Sequence, residues 1–357
     1  MNGSQSAPEM GGCWPGRPRW SWRGGFRRCA AWLSALVLAL LVVATAQAED
    51  EDAGASAAAL HTAPCKTCQR PDDEVWVIDD RQAGCLESGA DVQAALRFQR
   101  YDMANDTWHP AVAKDFLDGA NAALPACYWV HGDRIDPSEA KYAGLTVYRR
   151  LMERECKAPP LRFVIWSWPT TQVYRRPIPD IRLKMSRTGA TGYRLAYVLS
   201  RTPGDAPVGL IGYSFGARVI TGALHVLGGG ALHGRGLENQ PLPAATYRAA
   251  LLASAIDDDW LEPNAPHGLA LKPTQQMLLI NNRCDRVLAH YRLLSCDRHG
   301  PPALGYCGVR SLPALGADAE KVRQFDACCE VGSRHWWRLY VDSETIMAQV
   351  RETVLPK

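Results

Sequence analysis

The sequence predicts an α/β fold, with a mostly parallel central sheet covered by helices on both faces. Apolar, β-branched runs of strand length alternate with helical patterns from about residue 74 to the C-terminus. Of the 357 residues, 47% are hydrophobic and 22% are charged, which is typical of a globular protein with a large core. Strands that alternate with helices favour parallel pairing, because each helix carries the chain back across the sheet.

The individual elements follow from these patterns and from their start and stop signals. Strands are predicted at 74–81, 96–102, 127–133, 161–169, 206–214, 246–256, 275–282 and 325–331. Helices are predicted at 137–155, 187–200, 215–227 and 342–355. Pro137 opens the first of these helices, and an Asp or Ser caps the last. Sites in parallel sheets form at the carboxyl ends of the strands, so the residues after each strand are the candidates for chemistry.

The N-terminal segment is interpreted as an export signal over residues 1–48. A basic region up to Arg28 precedes the apolar run "CAAWLSALVLALLVVATAQA", which ends in a small-x-small cleavage pattern. Its length also fits an uncleaved membrane anchor, although its small and polar tail favours cleavage. Residues 49–72 are predicted to be a flexible mature N-terminus, and residues 73–357 to form the α/β domain.

The charge balance points away from nucleic acid as a partner. The formal net charge is +3, but residues 1–48 hold five arginines against one glutamate, so the remainder has a charge of −1. A nearly neutral body gives no electrostatic reason to bind nucleic acid. Membrane association is expected only through an uncleaved leader.

Ten of the twelve cysteines lie after residue 48, and an even number in an exported chain favours disulfides. Cys65 and Cys68 form a Cys-x-x-Cys without a second ligand pair at zinc-finger spacing, so a structural disulfide is the favoured interpretation. Cys284 adjoins an aspartate, and we expect a disulfide from the group Cys284, Cys296 and Cys307 to stiffen that loop. No metal or cofactor is predicted.

The stretch "LIGYSFGARVI" carries the strongest chemical signal. It contains Gly-x-Ser-x-Gly, with Ser214 between a predicted buried strand and a predicted helix. A serine on such a strained turn exposes its hydroxyl, and the helix N-terminus adds N–H groups and partial positive charge. Ser214 is therefore a candidate nucleophile, and the alternative is a tight turn without chemistry.

A serine nucleophile needs a base and an acid that orients the base. In enzymes built around such a turn, the chain order is nucleophile, acid, histidine. Of the nine histidines, His335 fits this order and follows the last predicted strand. Asp285, after the penultimate strand, is the preferred acid, and Asp257, after the preceding strand, is the alternative.

Two backbone N–H groups are expected to stabilise an oxyanion. One belongs to Phe215, directly after the nucleophile, and the other to Gly132 or Asp133, after the strand "CYWVHGD". His131 in that strand is expected to be structural. Trp336 and Trp337, beside the predicted base, are candidates for lining a cleft, whereas core packing is expected for most other tryptophans.

Together these motifs resemble the α/β-hydrolase superfamily. "YWVHG", "VIWSWP", "LIGYSFGARVI", "LLASAIDDDWL", "LLINNRCDRVL" and "SRHWWRLYVDSE" occur in the order found in a largely uncharacterised bacterial hydrolase family, over roughly residues 125–355. Phe215 stands where that family commonly has Met, and Ser333 and Arg334 precede the histidine where it has Gly. Only the backbone of Phe215 is needed, so that departure leaves the turn intact.

The resemblance implies a serine-hydrolase site but no substrate. Together with the export signal, the motifs lead us to expect an exported serine hydrolase in which Ser214, His335 and Asp285 act on a small-molecule or lipid-like carboxylic ester. A peptidase or an acyltransferase would use the same residues. A non-catalytic, hydrolase-like module that binds a partner in the cell envelope is the alternative from another class. The location expected is periplasmic, secreted or cell-surface.

Overall fold

A nine-stranded sheet organises the protein. The computed structural model describes residues 70–84, 92–118, 124–201, 208–237, 246–294 and 300–356. The predicted leader, residues 49–69 of the predicted flexible N-terminus, Cys65, Cys68 and Cys296 lie outside these ranges. The strands are β1 (Glu74–Asp79), β2 (Arg97–Asp102), β3 (Thr107–Ala111), β4 (Ala126–Val130), β5 (Arg162–Ser167), β6 (Val208–Tyr213), β7 (Tyr247–Leu252), β8 (Thr274–Asn281) and β9 (Val322–Asp326).

The strand order is β3-β2-β1-β5-β4-β6-β7-β8-β9. The pairs from β1 across to β9 are parallel, whereas the pairs β1–β2 and β2–β3 are antiparallel. The sheet is therefore mostly parallel, as predicted. The interior strands β4, β5 and β6 are buried along their whole length, which explains their continuous apolar sequences.

Helices cover both faces of this sheet. They are α1 (Ala113–Leu117), α2 (Pro137–Met152), α3 (Pro177–Leu199), α4 (Phe215–Leu227), α5 (Leu304–Cys307), α6 (Cys328–Val331), α7 (Trp337–Asp342) and α8 (Glu344–Val354), with 3-10 helices at Leu288–Leu293 and Leu312–Lys321. A Cβ at Gly209 of β6 would lie 2.5 Å from the Val354 carbonyl of α8, and one at Gly212 would lie 2.8 Å from the Ala217 nitrogen of α4. Side chains three residues apart on a strand point to opposite faces, so α4 and α8 cover different faces.

The helix starts follow local chemistry. The Asp136 carboxylate accepts the N–H groups of Ser138 and Glu139 at the start of α2, and Pro137 occupies the first turn as predicted. The helix predicted over 187–200 begins earlier, at Pro177. The closing segment forms two helices, and the hydroxyl of Ser343 caps the second, α8.

The prediction for the last strand was wrong. The expected strand at 325–331 ends at Asp326, and Cys328–Val331 forms the short helix α6. The carboxylate of Asp326 accepts the N–H of Cys328 and stops the strand there. β3 and α1 were not predicted. No helix in the described ranges is long and apolar enough to cross a membrane.

Candidate active site

Ser214 occupies a sharp turn between β6 and α4. Its backbone has φ 54° and ψ −116°, which is strained for a residue with a side chain. A side chain at Gly216 would collide with the carbonyl of Val130, and one at Gly212 would collide with α4. The two glycines therefore let strand and helix pass closely enough to form the turn. Because Ser214 directly follows β6, it lies at the carboxyl edge of the sheet.

The side chain of His335 meets Ser214 from the segment between α6 and α7. His335 Nε2 lies 3.0 Å from Ser214 Oγ, and His335 Nδ1 lies 2.6 Å from Asp285 Oδ2. An ionised carboxylate only accepts hydrogen bonds, so Nδ1 carries the proton and Nε2 is free to accept the serine hydroxyl. The ring of Tyr213 packs against the imidazole at 5.2 Å between centroids and holds its orientation.

Asp285 is fully buried in the loop after β8. Its second carboxylate oxygen, Oδ1, accepts the N–H groups of Val287 and Leu288, both at 2.9 Å. Two amide donors and the imidazole thus compensate a charge that would be costly to bury alone. The structure brings this preferred acid, and not Asp257, to His335.

Asp257 lies in the loop after β7 and has another partner. Its Oδ1 accepts the hydroxyl of Tyr291 at 2.7 Å. Tyr291 belongs to the 3-10 helix at Leu288–Leu293, and its hydroxyl also lies 3.5 Å from the guanidinium of Arg218. The alternative acid is thereby held in a polar cluster of its own.

The loop after β4 lies directly against the nucleophile. A Cβ at Gly132 would lie 2.8 Å from Cδ1 of Tyr213 and 3.1 Å from Cβ of Ser214, so a side chain here would require these neighbours to shift. His131 Nδ1 donates to the Gly132 carbonyl at 2.9 Å, and Trp168 Nε1 donates to the His131 carbonyl at 2.8 Å. The N–H of a trans peptide points away from its carbonyl, so these two bonds fix the directions of the Gly132 and Asp133 N–H groups.

Phe215 is the first residue of α4, so its N–H has no partner within the helix. It follows Ser214 directly and lies at the same edge of the sheet as the loop that carries Gly132. The three residues predicted for the oxyanion site therefore lie on the two segments that flank Ser214. Their use in binding an oxyanion stays a prediction.

His131 is a structural histidine in this arrangement. It is buried, and burial together with the nearby Arg81 guanidinium lowers its pKa to about 3. A neutral ring with Nδ1 protonated leaves Nε2 as the acceptor for the Trp168 backbone N–H at 3.2 Å. It organises the loop and carries no positive charge at neutral pH.

The carboxylate of Asp133 faces Lys184 of α3 at 3.0 Å, with Arg134 at 3.9 Å. Burial raises the pKa of Asp133, and the ammonium of Lys184 opposes that effect. The sequence reasoning missed Lys184. The only sequence feature that points to Lys184 is its spacing of four residues from Asp180 on one helix. Such a spacing is more typical of an exposed ion pair than of a buried one.

A disulfide joins Cys284, beside the acid, to Cys328 of α6. The prediction of a disulfide on this loop is confirmed for Cys284, whose partner is Cys328, whereas Cys307 is a free thiol. Cys328 lies in the segment that leads to His335. The bond thus links the loop of the acid to the loop of the histidine.

Trp336 and Trp337 are both half-buried, and Trp337 packs against the hydrophobic core. Their role in lining a cleft stays a prediction. Trp129, Trp166 and Trp168 are fully buried and belong to the core. Within the described ranges, no group of three or more His, Cys, Asp or Glu side chains is arranged to hold a metal ion.

Comparisons with known proteins give one family match and distant structural matches. The family described as "Protein of unknown function (DUF726)" matches residues 168–233, which include Ser214. An esterase B from Lactobacillus rhamnosis, solved with a tributyrin phosphonate inhibitor, has a TM-score of 0.35 and 14% identity, covering 87% of this chain and 93% of its own. Acyl-protein thioesterase 2 from Zea mays has a TM-score of 0.34 and 17% identity, covering 64% of this chain and 92% of its own.

No functionally curated protein matches the sequence. The assignment of the fold rests on the strand order and helix placement of this chain. A mostly parallel sheet with central order β5-β4-β6-β7-β8-β9, helices on both faces and a strained serine turn after β6 constitute the α/β-hydrolase fold.

Proposed function

We propose that this protein is a serine hydrolase that cleaves carboxylic esters through an acyl-enzyme. One observation carries the proposal. The Ser214 hydroxyl, the His335 imidazole and the Asp285 carboxylate form a continuous hydrogen-bonded series, with distances of 3.0 Å and 2.6 Å, that starts on a strained turn. A serine that only packs in the core does not require an imidazole that is itself hydrogen-bonded to a buried carboxylate, so this arrangement favours a nucleophile.

In the first step, Ser214 Oγ attacks the acyl carbon while His335 Nε2 accepts the hydroxyl proton. The negative charge that develops on the acyl oxygen is stabilised by the N–H of Phe215 and that of Gly132 or Asp133. His335 then donates its proton to the departing alcohol oxygen. Asp285 stabilises the transient imidazolium and keeps the proton of neutral His335 on Nδ1.

In the second step, water attacks the acyl-enzyme with His335 Nε2 as the base, and the proton returns to Ser214 as the carboxylic acid leaves. A peptidase or an acyltransferase would use the same groups, differing in the leaving group or the acceptor. An ester is proposed because attack on its acyl carbon has a lower barrier than attack on that of a peptide. The proposed substrate class is small-molecule or lipid-like esters.

Export is part of the proposal and has its own support. Besides the Cys284–Cys328 bond, Cys156 is also disulfide-bonded. Disulfides that persist in the folded state are typical of oxidising compartments outside the cytosol. The predicted signal over residues 1–48 supplies the route.

The test is hydrolysis of p-nitrophenyl esters of graded acyl length by the mature protein. We expect turnover of at least one ester and a loss of at least about 10³-fold in Ser214→Ala, because the nucleophile is gone. Ser186→Ala is the matched control, since its exposed hydroxyl bonds only within α3. A folded Ser214→Ala variant that retains its rate contradicts the proposal. Absence of turnover in folded wild-type protein favours a binding module.

A further inference from the structure

Lys184 is fully buried in α3 and joins two carboxylates from different segments. Its Nζ lies 2.5 Å from Asp180 Oδ2, one turn earlier on the same helix, and 3.0 Å from Asp133 Oδ1, on the loop after β4. Asp133 is the residue beside Gly132 in the loop that flanks Ser214. Burying an ammonium costs several kcal/mol unless its partners are well placed, so this geometry is specified closely.

Asp180 holds the lysine in place from the other side. It is itself fully buried, and its Oδ1 accepts the N–H groups of Val173 and Tyr174 at 2.7 Å and 2.8 Å. Its charge is therefore compensated by two amides as well as by Lys184. This leaves the ammonium with a fixed position from which to hold Asp133.

The same loop is fastened on its far side by Thr170. The carbonyl of Thr170 accepts the N–H of Arg134, and the Thr170 hydroxyl donates to the carbonyl of Ile135 at 2.8 Å. These bonds restrain residues 134–135, whereas Lys184 restrains the residue that carries one of the proposed oxyanion donors. The two restraints act on adjacent parts of one loop.

We propose that Lys184 is a positioning residue for the oxyanion site, acting through the carboxylate of Asp133. This inference rests on the proposed function, since it assigns a role to the loop only if an oxyanion forms there. Lys184 does two things in this role. It fixes the backbone of residues 132–133 against Ser214, and it compensates a negative charge that would otherwise oppose the developing oxyanion.

These two effects predict how kcat should rank among three variants. In Asp133→Ala the backbone donor and the Lys184–Asp180 pair both remain, so only the anchor is lost, and we expect kcat to fall roughly 5- to 10-fold. In Lys184→Met the anchor is lost and the Asp133 carboxylate keeps the more distant Arg134 guanidinium, at 3.9 Å, in place of the ammonium, so kcat should fall roughly 30- to 100-fold. The double variant should recover to the level of Asp133→Ala, with KM changed less than about threefold throughout.

The experiment measures kcat and KM on the best ester and the rate constant for labelling by a fluorophosphonate probe. Lys321→Met is the matched control, because Lys321 also pairs with an aspartate, Asp318 at 2.7 Å, but lies at the amino end of β9. Its kcat should stay within about twofold of wild type. A lysine with a merely structural role would lower the thermal midpoint without the partial rescue in the double variant.

The outcomes separate this inference from the proposed function. If wild-type protein is not labelled at Ser214, the proposed function fails. If wild type is labelled and a folded Lys184→Met variant is labelled at the same rate, only the role of Lys184 fails. If Lys184→Met does not fold, Asp133→Ala decides, and a kcat within twofold of wild type overturns the inference.

Discussion

The loops after β7 and β8 start at neighbouring strand ends and both carry an aspartate, yet they are built for different tasks. Asp257, five residues after β7 ends, is bound to the hydroxyl of Tyr291. Asp285, four residues after β8 ends, is bound to His335. A position after a strand end makes a carboxylate a candidate for the acid of the site. Its hydrogen-bond partner then determines whether it can orient the histidine.

The two loops also differ in how they are fastened to the histidine segment. Besides the Asp285–His335 bond, three links join the β8 loop to this segment or to α6 just before it: the Cys284–Cys328 disulfide, the bond from Arg286 N–H to the Ser333 carbonyl at 3.1 Å, and the bond from Asn282 Nδ2 to the Gly332 carbonyl at 2.8 Å. The β7 loop instead pairs Asp257 with Ala303 in a backbone bridge. Asp285 and His335 thus keep their relative positions through covalent and hydrogen-bonded connections.

The largest expected difference is between two single substitutions. Asp285→Asn should lower kcat by roughly 10³- to 10⁴-fold, because an amide no longer keeps the proton on His335 Nδ1 or stabilises the imidazolium. Asp257→Asn should change kcat less than about threefold. Steady-state ester hydrolysis by both folded variants checks this. The reverse order would show that the β7 loop supplies the acid.

The disulfide should matter more for stability than for rate. Replacing Cys284 and Cys328 by serine opens a cross-link over a sequence separation of 44 residues, so the free energy of unfolding should fall by about 2–4 kcal/mol. Because two hydrogen bonds still join the loops, kcat should fall less than about tenfold. Urea unfolding and ester assays measure the two effects.

Cys329→Ser is the control for that pair, since Cys329 is a free, exposed thiol next to Cys328. Its free energy of unfolding should change by less than about 0.5 kcal/mol. A loss of activity in the Cys284 and Cys328 variant as large as that of Asp285→Asn would contradict the account of three independent links.

The smallest effect is expected at the partner of Asp257. Tyr291→Phe removes a hydroxyl that Asp257 accepts, so the free energy of unfolding should fall by about 1–2 kcal/mol, with kcat within about twofold of wild type. Thermal or urea unfolding alongside the ester assay gives both values. A strong loss of kcat without loss of stability would place the Asp257 cluster in the reaction.

Much of the fold was predictable because the interior strands are unambiguous. β4, β5 and β6 are fully buried and read as continuous apolar runs, so their ends could be located and searched for polar residues. The edge strand β9 was misplaced. Its sequence "VRQFD" has one buried, two half-buried and two exposed residues, whereas the segment that follows it, "ACCEV", contributes the short helix α6.

For the candidate site, the sequence could predict the three residues of the proposed triad and their order along the chain, but not the contacts around them. Ser214, Asp285 and His335 follow from position after strands, which a linear pattern records. The partner of Cys284 and the burial of Lys184 depend on which loops meet in space. An Asp–Lys pair four residues apart has the same sequence pattern whether it is exposed or, as here, enclosed beside the loop after β4.

The most direct measurement is the mass of the folded protein after reaction with a fluorophosphonate, followed by peptide mapping. A nucleophilic Ser214 predicts one phosphonyl group per chain, on the peptide that contains Ser214, formed slowly in Asp285→Asn and not at all in Ser214→Ala. An unlabelled folded protein, or a label on any other residue, would contradict the assignment of Ser214 as the nucleophile.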